Sequence, residues 1–359
     1  MDDTIDHFVR ALADEIIYVG TRSPNLDVHT VFFGGGTPSM LNRGHFETIF
    51  KAIRDNFALR ANAEISLEAN PNDLNGDYLH ELRQVGFNRL SIGMQSAKEA
   101  ELQMYERQHD MTMMRRVMDD VRQVGFDNVS LDLMFGNPQQ SLSDWELSLN
   151  TALDFAPQHI SLYGLEVKGG TVLKKQIQAG ILPKPSNDVA ADMYDMATNR
   201  LADAGFDQYE ISNWSKPMYQ ARHNLQYWHN LPYLGFGAGA HGYANGTRTI
   251  AIRSPQRYIE ALLTPHKERD FPRTPATSKA TIIDKSSEMS ETIMMGMRLT
   301  QEGVGRELFR ERFGMDLYEI QQDTIEKYMG LGMLEVTDEY VRLSQQGRLV
   351  SNVVIADLI

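Results

Sequence analysis

The sequence predicts an α/β fold: a partial barrel of parallel strands flanked by helices, followed by a smaller α+β module. Three observations point there. Short β-rich runs alternate with helical stretches, one helix-to-strand joint recurs three times, and after Tyr243 the alternation stops.

The first element is a helix, from about Thr4 to Val19, ahead of any strand. A βα barrel opens with a strand, so its first strand is expected either to be absent or to lie upstream of Met1. Strand-like runs then occur at His29–Phe33, Glu64–Ala69, Arg89–Met94, Asn128–Phe135, His159–Leu165 and Gln208–Asn213. Strands separated by helices at this spacing imply a parallel sheet. The segments LRQVGFNRLSIGMQ, VRQVGFDNVSLDLMFG and LADAGFDQYEISN share one grammar: helix, Gly, Phe, a polar residue, strand. Gly86, Gly125 and Gly205 stand where a helix ends in the left-handed conformation, and each following Phe can fold back on that helix. Three copies of one αβ joint favour a barrel or half-barrel over an open doubly wound sheet, which uses similar joints.

Beyond Tyr243, the stretch TPHKERDFPRTPATSKA (264–280) is rich in Pro, Thr and charge and reads as a linker or extended crossover. A helix carrying Met289, Met294, Met295 and Met297 follows, then two more helices, a hairpin in GMLEVTDEYVRLS and a last helix from about Gln346. Helices with a small β wing look like a winged-helix module. Residues 265–359 hold 12 Lys and Arg against 16 Asp and Glu, however. That sign opposes phosphate neutralisation, so a lid or packing role is expected rather than DNA binding.

The whole chain points the same way. Its 359 residues are 42% hydrophobic and 23% charged, enough for a substantial core, and the net charge of -13 argues against a nucleic-acid partner. No apolar run is long enough to span a bilayer. The acidic start (Asp2, Asp3, Asp6, Asp14, Glu15) is unlike a secretory or transit peptide, so a cytoplasmic location is expected. There is no cysteine, which excludes disulfides, thiolate zinc sites, a cysteine nucleophile and an iron–sulfur cluster held by this chain's own thiolates.

In a βα barrel, functional groups gather at the carboxyl ends of strands. Here those ends read Gly34-Gly35-Gly36-Thr37-Pro38, then Glu68-Ala69-Asn70-Pro71, then Gln95-Ser96, then Gly136-Asn137-Pro138 after Asp132, then Tyr163 and Glu166. Glu68 alone could cap a turn, and Asp132 could face either the lumen or the helices. Five such ends together favour a binding site at that face. The glycine run matches neither phosphate fingerprint: Ser39 stands where G-x-G-x-x-G needs its third glycine, and the P-loop lysine is missing. It leaves a strand end with little side-chain bulk, open to a ligand's edge, or else a tight turn needing positive φ.

The stretch RHNLQYWHNLPYLGFGAGAHGY (222–243) holds His223, His229 and His241 beside Tyr227 and Trp228. Its spacing fits no zinc pattern. Aromatics beside histidine and a small-residue turn suit a flat conjugated ligand such as a porphyrin, with His or Met available to its iron.

Taken in order, VFFGGGTPSML, SLEANPND, RLSIGMQS, ERQHD, NVSLDLMFGNP, HISLYGLEVKGGT and RHNLQYWHNLPYLGFGAGAHGY resemble the radical S-adenosylmethionine (SAM) proteins of the oxygen-independent coproporphyrinogen III oxidase family, specifically its heme-chaperone branch. The resemblance spans nearly the whole chain. It implies a partial (β/α)6 barrel lacking its first strand, over residues 1–243, a crossover at 244–280 and the family's winged-helix-like C-terminal domain at 281–359. It implies that Gly35, Gly36, Thr37 and Glu68 meet the methionine end of SAM, that Gln95, Arg107 and Asp132 lie at further SAM-binding positions, and that His223, Asn224, Tyr227 and Trp228 form the heme segment.

One departure is plain. The family carries C-x3-C-x2-C, whose thiolates hold a 4Fe-4S cluster, and this chain has none. Either that segment precedes the sequence, or this is a clusterless relative. The resemblance therefore implies a carrier that binds heme and SAM and passes heme to an acceptor protein, with a dimer as an open assembly state. The alternatives are an oxidative decarboxylase of coproporphyrinogen, which needs the cluster, and a pure interaction module with no affinity for SAM.

Overall fold

The computed structural model describes residues 2–265 and 267–359. Its strands are β1 (Asp27–Phe33), β2 (Ala58–Ala69), β3 (Arg89–Gln95), β4 (Val129–Phe135), β5 (His159–Gly164), β6 (Asp207–Glu210), β7 (Asn213–Ser215), β8 (His241–Ala244), β9 (Thr247–Ala251), β10 (Thr277–Ile282), β11 (Val304–Gly305), β12 (Leu334–Val336) and β13 (Tyr340–Leu343). They form a seven-stranded sheet in the order β1-β2-β3-β4-β5-β7-β6 and two three-stranded sheets, β10-β9-β8 and β11-β13-β12. Two compact units divide the chain, one of residues 33–39 with 66–221, the other of 1–32, 40–65 and 222–359.

In the first unit, β3, β4 and β5 run parallel to one another and to the end of β2, as expected. The register pairs Ser66 with Arg89, Glu68 with Ser91, Ser91 with Ser130, Ser130 with His159 and Asp132 with Ser161. A polar row thus crosses four strands on one face. Leu67, Leu90, Leu131, Leu133, Ile160 and Leu162 alternate with it and are buried on the other face. The fork left open for Asp132 closes here: it shares the face of Ser91, not that of Leu131. Residues 208–213, expected as one strand, form two short ones, with β7 antiparallel to both β5 and β6.

The recurrent joint has the anticipated geometry. Gly86, Gly125 and Gly205 take φ of 119°, 84° and 80°. The amides of Phe87, Phe126 and Phe206 donate back to the carbonyls of Leu82, Val121 and Leu201, and all three phenylalanines are buried.

In the second unit, the opening helix runs Asp2–Arg22, three residues past its expected end. It buries Glu15, whose carboxylate accepts from Gly237 N (3.0 Å), Tyr258 Oη (2.6 Å) and Thr274 Oγ1 (2.7 Å). Residues 244–280, expected as a linker or crossover, hold β9, the helix Pro255–Leu263 and the start of β10. β10 escapes sequence reading because it is almost wholly exposed, so it lacks apolar alternation and is held by its ladder to β9. The C-terminal part is α+β, with a core that includes Ile293, Phe309, Phe313, Leu317, Val341 and Leu343. No helix among the described residues is long and apolar enough to cross a membrane.

Candidate functional site

At the end of β1 the chain turns through Gly35 and Gly36 at φ 73° and 64°. A Cβ added at either would meet nothing within 4 Å. The turn thus has the positive φ of the tight-turn reading, and both glycines are exposed. Gly35 N donates to Glu68 Oε2 at 3.1 Å, tying the glycine shelf to the end of β2. Burial raises the Glu68 carboxyl above its ordinary value, the Gly35 bond opposes this, and the nearby Asp132 charge adds to it. Thr37 is exposed on the same turn.

Gln95 closes β3 at φ 63° and is buried. Gly93 makes room for it, since a Cβ there would lie 2.8 Å from Gln95 Nε2. Arg107 Nη1 donates to Asn70 Oδ1 at 2.7 Å, while its buried Nε has no partner among the described residues. Asn70 Nδ2 donates to Asp73 Oδ2 (3.2 Å), which also accepts from Ser39 Oγ (2.6 Å). Asn70 and Asp73 thus position Arg107 and the shelf. The sequence marked Asn70 as one of the polar strand-end residues but gave no signal for Asp73. The Ser91 hydroxyl lies 3.1 and 3.2 Å from the two Asp132 oxygens, and burial raises that carboxyl despite the Ser161 and Ser91 hydroxyls and the Arg89 charge. Gly35, Gly36, Thr37, Glu68, Gln95, Arg107 and Asp132 all belong to the unit of residues 33–39 and 66–221.

The other four predicted residues lie on the helix Arg222–Trp228 of the second unit. Buried Glu64 of β2 anchors its start, accepting from Arg222 N and His223 N at 3.0 Å each. One His223 ring nitrogen bonds Thr30 Oγ1 at 2.9 Å and the other bonds Tyr227 Oη at 2.9 Å. Phe32 stacks on the imidazole, centroids 5.0 Å apart and planes 12° from parallel. Burial, helped by the charge of His29, lowers the His223 pKa to about 4, so the ring is neutral. Asn224 is half-buried. Trp228 lies beneath the Arg298 guanidinium, whose carbon is 4.7 Å from the indole centroid, and its buried Nε1 has no partner among the described residues.

Comparison with known proteins adds the decisive observation. The Radical SAM superfamily model matches residues 6–152 and the HemN C-terminal domain model matches residues 283–350. The chain is 35% identical to the Bacillus subtilis protein "Heme chaperone HemW" over 97% of this chain and 90% of that one. This chain belongs to the HemW heme-chaperone family. It is also 34% identical to the mouse "Radical S-adenosyl methionine domain-containing protein 1, mitochondrial", over 92% of this chain and 76% of the relative. The solved Escherichia coli coproporphyrinogen III oxidase (HemN) shares the fold, with a TM-score of 0.81 and 19% identity over 99% of this chain and 83% of that structure. The curled half-barrel and the α+β C-terminal domain are thus those of the HemW family's radical SAM fold.

The residues present fit one family cofactor and not the other. The orphaned Arg107 Nε and the open space over Gly35 and Gly36 suit an amino-acid ligand such as SAM. With no cysteine, the chain supplies no thiolate for a 4Fe-4S cluster, and no step through one is derived.

Proposed function

We propose that this chain is a heme carrier that also binds SAM, handing its heme to an acceptor protein. The observation that carries the reading is Trp228: a half-buried indole with an orphaned N–H, roofed by Arg298, on the helix HNLQYW. An indole face stacks on a conjugated macrocycle, and a guanidinium pairs with carboxylates such as heme propionates. Membership of the HemW family supports the same reading.

SAM, when bound, supplies a sulfonium-activated alkyl group. On this reading, Glu68 holds its ammonium and the backbone of Gly35 to Thr37 lies along its amino-acid end. Gln95, Arg107 and Asp132 offer an amide, a guanidinium and a carboxylate to its remaining polar groups.

Titration with hemin tests the carrier role. A saturable Soret shift that weakens about tenfold in Trp228→Ala is expected, from the loss of roughly 1.5 kcal/mol of stacking. No saturable shift in the unsubstituted chain would sink the reading.

A further inference from the structure

Asn137, in the run Gly136-Asn137-Pro138 that follows β4, is a further polar group at the strand ends. It is 5% exposed, and its Nδ2 has no partner among the described residues. Its Oδ1 accepts from the Tyr105 hydroxyl. That pair fixes which way the amide faces. Burial raises the Tyr105 pKa, so the hydroxyl keeps its proton and donates it to Asn137. Turning the amide over would leave both the hydroxyl proton and Oδ1 unsatisfied, whereas the observed orientation leaves only the N–H group.

The main chain at Asn137 is held firmly. Gly136 N and Asn137 N donate to Gln140 Oε1 at 2.8 and 3.3 Å, and Gln140 Nε2 donates to Glu101 Oε2 (3.0 Å), which also accepts from Ser96 Oγ (2.6 Å). Tyr105 stands two residues before Arg107. Their loop is therefore pinned to the end of β4 by one side chain and to Asn70, just after β2, by the other. Each pin leaves one buried N–H unpartnered among the described residues, on Asn137 and on Arg107.

β3 lies between β2 and β4 in the sheet. Two strand spacings put the ends of β2 and β4 about 10 Å apart, a span that an extended nucleoside amino acid covers. A ligand with its ammonium at Glu68 that also reaches Gln95 and Asp132 brings its nucleoside end to β4. A side-chain amide matches one edge of adenine, donating to a ring nitrogen and accepting from the exocyclic amino group. Asn137 Oδ1 keeps a second lone pair for this beside the Tyr105 bond.

We infer that the Asn137 side-chain amide binds the adenine of SAM, with Tyr105 as the residue that orients it. This rests on the SAM-binding part of the proposed function and names a further binding residue within it.

Displacement of radiolabelled SAM from the whole chain tests this, with adenosine and methionine as competitors. Asn137→Ala should weaken SAM binding and adenosine competition about tenfold each, while methionine competes as before. Asn137→Leu, which keeps the volume without the amide, should do the same and serves where Asn137→Ala does not fold. Tyr105→Phe should weaken adenosine by a smaller factor. Unaltered SAM affinity in a folded Asn137 variant overturns the inference, as does equal weakening of adenosine and methionine, the mark of a purely structural role. If the unsubstituted chain binds no SAM, the SAM reading itself falls and this inference with it, a result separable from the others.

Discussion

The glycine shelf and the start of the HNLQYW helix are equally conspicuous in the sequence, yet Arg107 beside the one and His223 on the other are in opposite states. On the shelf, Gly35 and Gly36 face open space and the Arg107 Nε is unpartnered. On the helix, Glu64 takes two main-chain amides, and His223 is bonded at both nitrogens and stacked. On the proposed reading, the unpartnered Arg107 Nε beside the shelf is left for a ligand, whereas the saturated His223 maintains the fold. A chemically capable residue in a motif can therefore be either, and only its partners tell which.

Breaking the saturated side should cost the most stability. Glu64→Ala removes the acceptor of two amides and should lower denaturant-unfolding stability by about 3 kcal/mol, with a loss below about 1 kcal/mol contradicting the anchoring role. On the open side, Glu68→Ala should leave stability almost unchanged. It should weaken SAM binding roughly 10- to 100-fold by calorimetry, as expected for losing a charged hydrogen-bond partner. Unaltered affinity would remove Glu68 from the site.

Acid acts on the two regions through opposite pKa shifts, His223 lowered and Glu68 raised. Unfolded His223 takes up a proton near 6.5 and the folded residue only near 4. The unfolded state therefore binds more protons across that window, and stability falls as pH drops through it, by about 2 kcal/mol at about pH 5. His223→Gln should flatten that dependence. Glu68 is raised by burial, so as pH falls it protonates before an ordinary carboxylate, and SAM affinity should decline starting above pH 4.5. An affinity that is flat down to that value would count against Glu68 as the ammonium's partner. The smallest effect is expected from Thr30→Val, which removes one of the two His223 ring bonds and should cost about 1 kcal/mol in the same unfolding assay.

Much of the fold was legible. The Gly-Phe joint is a local device whose backbone geometry follows from two residues, and the strands after it fell where the alternation put them. β10 was not legible, because a ladder of exposed residues leaves no hydrophobic period. Nor was the split of 208–213 into two antiparallel strands, since strand direction is set by pairing partners rather than by composition. The strand-end rule singled out Glu68, Gln95 and Asp132 as candidates without any structure. Arg107 was named only through family resemblance, because it follows a short helix, Glu99–Met104, rather than ending a strand. Asn70 and Asp73 carry a positioning role that depends on reaching Arg107 and Ser39, residues far away in sequence.

By itself the sequence determined the parallel strands, their polar carboxyl ends and the family. These depend on residue identity and local spacing, which the chain carries in one dimension. Only the tertiary structure decided that Asp132 faces the polar row, that Glu68 meets Gly35, and that both ring nitrogens of His223 are bonded. Each of those depends on which distant groups reach hydrogen-bonding distance, and no spacing along the chain encodes that.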